Sequence, residues 1–139
     1  MNKRICVIGA GPSGITAIKN IAEAGFNVKA FDINSDVGGN WIYNENESHS
    51  SVFETTHIIS SKSLSQFEDF HFSESVADYP SHDELRQYFQ SYASNFGLYE
   101  HIQFNTLVKK CERLEDNSWE VTTSHKNKES IEVFSDLVV

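Results

Sequence analysis

A glycine-rich turn near the N-terminus constrains the fold of this chain more than any other feature. An apolar run rich in β-branched residues, Lys3–Ile8, leads directly into the hexapeptide GAGPSG at residues 9–14. Apolar residues then recur at helical spacing between residues 15 and 22. The order strand, glycine turn and helix is typical of a dinucleotide-binding βαβ unit. The sequence therefore predicts an α/β, Rossmann-like fold with a parallel sheet of three to four strands.

Each residue of the turn has a separate expected task. Gly9 allows a tight turn, Gly11 lets a pyrophosphate approach the backbone, and Gly14 lets the helix pack close to the strand. Pro12 suits the first helical position, because its missing N–H would have no intrahelical partner there. The free N–H groups at the helix start then face an anion. Ser13 is expected to contact a phosphate and not to act as a nucleophile, since no GxSxG elbow surrounds it.

An acidic residue follows the second predicted strand. Gly25 can end the helix, Asn27–Phe31 is predicted as a strand, and Asp32 stands at its end. A carboxylate about 20 residues past the glycines hydrogen-bonds a ribose hydroxyl in such units. The alternative is an ordinary glycine turn with a surface carboxylate. The sequence GGNW at residues 38–41 follows, and its glycines either permit close approach of a ligand or form a plain turn.

The middle of the chain is irregular. Residues 42–50 are polar and are predicted as an exposed loop, whereas residues 51–61 mix β-branched and hydroxyl side chains and favour no element. Four aromatic residues follow, and we expect them to anchor an irregular segment to the core; lining a cofactor or substrate pocket is the alternative. They are Phe67, Phe70, Phe72 and Tyr79.

The last third predicts one helix and a small antiparallel sheet. Ser81 and Glu84 form a capping box before an apolar stripe at helical spacing, which Gly97 ends. Strands at 107–114, 118–124 and 130–134 predict a β-meander, about residues 106–134, with one buried face. Residues 136–139 begin a further apolar strand.

Composition narrows the functional classes. The 139 residues suit one domain, and 20 acidic against 11 basic side chains give a formal charge of −9. This balance disfavours nucleic acids and anionic membrane surfaces, because both need clustered Lys and Arg. Cys6 and Cys111 lie in predicted strands and are expected to be buried thiols, and the histidines show no metal-ligand spacing. Without an apolar span or a signal peptide, a cytoplasmic location is predicted.

The order of these motifs resembles that of the flavin-containing monooxygenases. GAGPSG, the acid, GGNW, the SSK of residues 60–62, the Tyr79-Pro80 helix entry and the meander follow the family's order over the whole chain. The resemblance implies an FAD-binding domain interrupted by an NADPH-binding domain. It further implies that NADPH would reduce the flavin and that oxygen would then give a C4a-hydroperoxyflavin, which would oxygenate a small nucleophile containing N or S. Residues 1–139 would be the N-terminal part of the FAD-binding domain, with the NADPH-binding domain absent from this chain.

The same resemblance implies the FAD contacts. Residues 9–14 would hold the pyrophosphate, Asp32 the adenosine ribose, and the backbone of Val108 the adenine. Asn40 and Trp41 would lie beside the FAD, and Ser60 and Ser61 near its flavin end. The cofactor-binding residues predicted are Gly9, Gly11, Pro12, Ser13, Gly14, Asp32, Gly39, Asn40, Trp41, Ser60, Ser61 and Val108. No metal site is predicted and no catalytic residue is assigned.

One position departs from the family pattern. Ile59 stands where many members have Asn directly before Ser-Ser-Lys, and an apolar side chain cannot make the hydrogen bonds of that amide. Some relatives with Thr-His-x-Ile-Ser-Ser-Lys are more similar, which favours a variant site over a lesion. His57 in the same stretch could approach the flavin, although a structural role is favoured.

Two other functions remain open. A flavin disulfide reductase would need a redox pair of cysteines, and the sequence has no CxxC. An FAD-binding module or oxidoreductase fragment without monooxygenase turnover is the other alternative, because residues 1–139 hold one glycine-rich dinucleotide motif. The expected partner is a small-molecule substrate. Self-association into a homo-oligomer through the apolar strand at residues 137–139 is also an option.

Overall fold

A computed structural model describes residues 3–43 and 51–139 of the chain. Seven strands and three α-helices occur in these ranges, with 3₁₀ turns at Gly39–Trp41 and Leu98–His101. In chain order the elements are β1 (Arg4–Ile8), α1 (Pro12–Glu23), β2 (Asn27–Phe31), α2 (Lys62–Ser65), α3 (His82–Asn95), β3 (Ile102–Gln103), β4 (Thr106–Arg113), β5 (Trp119–His125), β6 (Lys128–Phe134) and β7 (Asp136–Val138). Most of the loop predicted over residues 42–50 lies outside the described residues.

Four strands form a parallel sheet in the order β3-β2-β1-β7, which confirms the predicted α/β fold. Strand β1 pairs with β2 from Arg4 opposite Asn27 to Ile8 opposite Phe31. The carboxyl ends of β1 and β2 therefore meet at one edge of the sheet. The glycine turn lies at that edge, because the Gly9 N–H donates to the Phe31 carbonyl oxygen at 2.8 Å. Ligands of open α/β sheets bind at such an edge.

Helix α1 begins as its sequence predicts. Gly11 is the extended N-cap, and Pro12 occupies the first helical position. Ile15 and Ile18 are fully buried against the sheet. Gly25 follows the helix with φ +83°, a left-handed conformation that favours glycine.

Helix α3 has the predicted capping box. The Ser81 hydroxyl accepts from the Glu84 N–H at 3.3 Å, and the Glu84 carboxylate accepts from the Ser81 N–H at 2.9 Å. These bonds satisfy two of the donors that every helix start leaves without an intrahelical partner. The apolar stripe behind the cap is buried in a first core shared with α1 and the sheet. Each fully buried side chain of this kind contributes about 1.5–3 kcal/mol relative to exposure.

Three aromatic residues anchor the irregular segment to this core, as predicted. Phe72 stacks on Tyr88 with ring centroids 3.9 Å apart, and Phe67 packs on Tyr92 at 4.7 Å. The Tyr88 hydroxyl accepts from the Phe67 N–H at 2.7 Å and donates to the Phe70 carbonyl. The prediction was wrong for the fourth aromatic residue, Tyr79, whose side chain is 57% exposed. The Tyr79 carbonyl oxygen shares a hydrogen bond with the His57 ring at 3.0 Å.

Strands β4, β5 and β6 form the predicted antiparallel meander. A second core lies between the meander and the parallel sheet; its buried members are Cys6, Phe31, Val121 and Phe134. Burial raises the pKa of the Cys6 thiol to about 12. The expectation of a buried thiol was wrong for Cys111, which is only partly buried at the margin of this core.

An ion-pair cluster joins the two sheets. The Glu132 carboxylate on β6 pairs with Lys29 of β2 at 2.6 Å and with Arg4 of β1. Burial alone would raise the pKa of Glu132, but the hydrogen bonds from Lys29 and Arg4 outweigh it and hold the pKa below its ordinary value of 4.5. The cluster thus fixes the meander against the sheet that carries the glycine turn.

Candidate cofactor site

A cleft of about 380 Å³ opens at the carboxyl end of β1. It gathers every predicted residue of the two glycine motifs and two valines that the sequence analysis missed. Its lining is Val7, Ile8, Gly9, Gly11, Pro12, Ser13, Gly14, Gly39, Asn40, Trp41, Val138 and Val139. Val138 ends β7 and Val139 follows it, and the parallel pairing of β7 with β1 brings both to this edge.

The floor of the cleft is two glycine turns packed backbone against backbone. A Cβ built on Gly14 would lie 2.0 Å from the Gly9 carbonyl oxygen, so no side chain fits between helix and turn. A Cβ on Gly39 would lie 2.8 Å from the Cα of Gly11. Gly39 also has φ +55°, a left-handed conformation. The sequence suggested that this Gly-Gly pair makes room for a ligand; the structure assigns Gly39 first to contact with the neighbouring turn.

The start of α1 supplies the polar character of the cleft. Gly11 caps the helix without a side-chain hydrogen bond, and the first turn of the helix has no acidic residue. Ser13 is exposed at this end. The N–H groups of a helix start carry about half a positive charge. Because no residue that lines the cleft is charged, these backbone dipoles are its source of attraction for an anion.

Asp32 is buried beside the turn and does not line the cleft. Its Oδ2 accepts from the Ala10 N–H at 2.5 Å, and its Oδ1 accepts from the Asn34 N–H at 2.7 Å. The carboxylate therefore ties the glycine turn to the end of β2. Each oxygen keeps acceptor capacity beyond these bonds, so the predicted ribose contact stays a prediction.

The second glycine turn is held from both sides. The Gly38 N–H donates to the Ala10 carbonyl oxygen at 3.1 Å. Trp41, which is partly buried, packs against the first core, whereas Asn40 is exposed at the rim. This arrangement holds the predicted residues Gly39, Asn40 and Trp41 next to the start of α1.

Sequence comparison identifies the family of the chain that carries this cleft. The chain matches the family model described as Flavin-binding monooxygenase-like over residues 2–139. The chain belongs to the flavin-binding monooxygenase-like family. The resemblance seen in the motifs is therefore confirmed, and the cleft lies at the glycine motif of a flavin-binding monooxygenase-like chain.

Individual relatives agree with this assignment. The chain is 35% identical over 143 residues to flavin-containing monooxygenase 5 of Rattus norvegicus, covering 99% of this chain and 27% of that protein. It thus spans about a quarter of the length of such curated relatives. It is similar in fold to S-allyl-L-cysteine S-oxygenase from Allium sativum, with a TM-score of 0.90, 21% identity and coverage of 99% of this chain and 36% of that one.

A further solved structure concerns the cofactors. OTEMO in complex with FAD and NADP matches with a TM-score of 0.75 and 25% identity, covering 97% of this chain and 24% of that one. That neighbour binds FAD and NADP, and the description of the matched family names flavin binding. The cleft fits such a group, because an uncharged glycine-lined floor at a helix start suits a pyrophosphate.

The remaining predicted contacts lie elsewhere. Ser60 is exposed and shares a hydrogen bond with Ser65 at 2.6 Å, and Ser61 is the N-cap of the short helix α2. Ile59, at the position where many family members have Asn, is fully exposed. Val108 packs against the second core at a β-bulge in β4. The structure does not bring these residues to the cleft, and their FAD contacts stay predictions.

The described residues add two results on other kinds of site. Within residues 3–43 and 51–139, no group of three or more His, Cys, Asp or Glu side chains could hold a metal ion. Over the same ranges, no helix is long and apolar enough to cross a membrane.

Proposed function

We propose that this chain is the N-terminal part of the FAD-binding domain of an NADPH-dependent flavin monooxygenase. The observation that carries the proposal is the cleft, which joins both glycine motifs at the start of α1 in a chain of this family. The N–H groups of Ser13 and Gly14 would hold the FAD pyrophosphate, and Trp41 would lie beside the cofactor. Asp32 would reach the adenosine ribose. FAD supplies the redox chemistry, and the protein supplies binding and orientation.

The finer parts of the proposal rest on the family. The substrate would be a small nucleophile containing N or S, oxygenated through a C4a-hydroperoxyflavin, with NADPH bound outside this chain. The S-oxygenase from Allium sativum, which shares the fold, supports a sulfur substrate class. We further propose that the protein is cytoplasmic and that it can form homo-oligomers. We propose no nucleic-acid or membrane partner.

A charge placed at the helix start tests the proposal. Ser13→Glu puts a carboxylate in the first turn of α1, where it stabilises the helix by about 0.3–1 kcal/mol but repels a pyrophosphate. We expect the melting temperature to stay level or rise while the FAD dissociation constant increases at least about tenfold. Ser94→Glu, at an exposed position on α3, is the matched control and should leave FAD affinity unchanged.

The measurements are calorimetric titration with FAD and thermal unfolding of the same samples. Absence of FAD binding by the unmodified chain would contradict the proposal. Equal FAD affinity of the Ser13→Glu and Ser94→Glu proteins would also contradict it, because the pyrophosphate would then lie elsewhere.

A binding module without turnover is the second candidate. The sequence of 139 residues contains one glycine-rich dinucleotide motif, and the cleft at that motif is assigned to FAD. A hydride donor needs its own site within about 3–3.5 Å of the flavin. We therefore expect this chain with FAD, NADPH and oxygen to consume no NADPH above the free-FAD background, measured at the nicotinamide absorbance band. Catalytic NADPH loss would exclude the module.

A further inference from the structure

Asp36 collects donors from three parts of the fold. Its Oδ1 accepts from the Val37 N–H at 2.7 Å and from the Tyr99 hydroxyl at 2.9 Å. Its Oδ2 accepts from the Gln90 side-chain amide at 2.7 Å. Gln90 lies on α3, and Tyr99 lies in the 3₁₀ turn Leu98–His101. One carboxylate thus joins the segment before the second glycine turn to a helix and to a separate turn.

The Tyr99 hydroxyl remains a hydrogen-bond donor to Asp36 at neutral pH. Burial and then the hydrogen bond to Asp36 raise the pKa of the Tyr99 phenol to about 12. The phenol therefore stays protonated at neutral pH and keeps donating to the carboxylate. The ring of Tyr99 also packs on Phe104, with centroids 5.9 Å apart, which fixes its direction.

The segment that Asp36 holds forms one wall of the cleft. Two residues further on, the Gly38 N–H binds the Ala10 carbonyl oxygen, and Gly39 packs on Gly11. Gly39 and Trp41 both line the cleft, whereas Asp36 does not. A shift of the segment by a few tenths of an ångström would press Gly39 into the Gly11 backbone or open a gap between the two turns.

We infer that Asp36 is a positioning residue for the cofactor cleft, which acts through the turn at residues 38–41 and touches no cofactor itself. The inference rests on the proposed function only where it predicts FAD affinity. Its structural part, that the carboxylate fixes the position of Trp41, stands without any cofactor. Hydrogen bonds to a charged acceptor are stronger than those between neutral groups, so the Asp36 carboxylate can fix the turn at residues 38–41 firmly.

Trp41 reports on the turn directly. The chain has two tryptophans, so Trp119→Phe leaves Trp41 as the sole indole. In that background we compare Asp36→Ala, the conservative Asp36→Asn, and Ser81→Ala. Ser81→Ala is the control, because it removes the cap of α3 and lowers stability at a site outside the cleft. The measurements are acrylamide quenching of Trp41 without FAD, FAD affinity, and the melting temperature.

We expect Asp36→Ala to raise Trp41 quenching about twofold and the FAD dissociation constant about tenfold, since hydrogen bonds to a charged group are lost. Asp36→Asn should stay within about threefold of the parent in FAD affinity. Its carbonyl oxygen still accepts from Val37 and Tyr99, and the Gln90 amide can turn to accept from the new NH₂ group. Ser81→Ala should lower the melting temperature and leave quenching and FAD affinity unchanged.

Three outcomes decide the inference. Equal changes in Asp36→Ala and Ser81→Ala would overturn it, because they would show a role in stability alone. Unchanged quenching in Asp36→Ala would overturn it whether or not the chain binds FAD. Raised quenching in Asp36→Ala without FAD binding by the parent would uphold the positioning of the turn and instead reject the proposed function.

Discussion

Gly14→Ala sets two physical effects against each other at one position. Gly14 lies in α1 with ordinary helical geometry, so alanine there gains about 0.5–1 kcal/mol of helix propensity. The added methyl group, however, would lie 2.0 Å from the Gly9 carbonyl oxygen and 2.8 Å from its carbonyl carbon. Both contacts are with backbone atoms, which cannot turn aside as a flexible side chain can.

The contact outweighs the propensity. The methyl group and the Gly9 oxygen must separate by roughly 1.5 Å to reach ordinary van der Waals distance. Overpacking costs about 1–3 kcal/mol, and a 2.0 Å contact with backbone belongs in the upper part of that range, about 2–3 kcal/mol. Subtracting about 0.5–1 kcal/mol of helix propensity leaves a net loss of about 1–2.5 kcal/mol. At about 4 °C per kcal/mol for a domain of this size, the melting temperature should fall by about 4–10 °C. The FAD dissociation constant should rise as well, since Gly9 forms part of the cleft.

Thermal unfolding and FAD titration of the same samples check this expectation. Asn20→Ala is the matched control, because Asn20 is exposed on the same helix and alanine there gains propensity without a clash. Its melting temperature should stay level or rise. A Gly14→Ala protein as stable as the parent, with the same FAD affinity, would refute the close packing of helix and turn.

Three further predictions follow from individual contacts. Glu132→Gln should lower the free energy of unfolding by about 1 kcal/mol at pH 7. Because the folded pKa of Glu132 is depressed, the difference from the parent should shrink as pH falls below 4.5, which urea unfolding across pH measures. Tyr88→Phe should cost about 1–3 kcal/mol by leaving the Phe67 N–H unpaired, whereas Tyr79→Phe at its exposed site should change stability by less than about 0.5 kcal/mol. Asp32→Ala should weaken ADP binding. If the Asp32 carboxylate binds the ribose, ADP without its two ribose hydroxyls should bind the parent more weakly than ADP does, whereas the variant should bind both ligands equally.

Local patterns in the sequence were sufficient to predict most of the fold. The glycine turn, the capping box of Ser81 and Glu84, and the left-handed glycines at helix ends depend on residues within a few positions of one another. The meander was predicted because alternation along β5 requires one buried face. The wrong expectations, for Tyr79 and Cys111, both concerned how deeply a side chain is buried. That depends on which distant element packs over it, and spacing along the chain carries no such information.

The site divides in the same way. Residues 9–14 and 39–41 were predictable because the backbone geometry of such turns requires glycine, and glycine is visible in the sequence. Val138 and Val139 were missed because only the parallel pairing of β7 with β1 brings them to the cleft. Asp36 was also missed. An acid two residues before a Gly-Gly pair was the available signal, but two of its three donors lie 54 and 63 positions away along the chain.

The electrostatics of the cleft explain how an acidic chain can receive an anionic group. The formal charge of −9 repels a pyrophosphate at long range, although salt at physiological strength screens this repulsion beyond about 8 Å. Asp32 and Asp36 lie beside the two turns, and both carboxylates accept hydrogen bonds from backbone N–H groups of residues that do not line the cleft. These two carboxylates therefore hold the turns in place through hydrogen bonds. The attraction for phosphate comes instead from the N–H groups at the start of α1, which act only within a turn of the helix end. Placement of the two glycine turns therefore matters more to this cleft than the net charge of the chain, and the carboxylates that place them are as much part of the site as the glycines that line it.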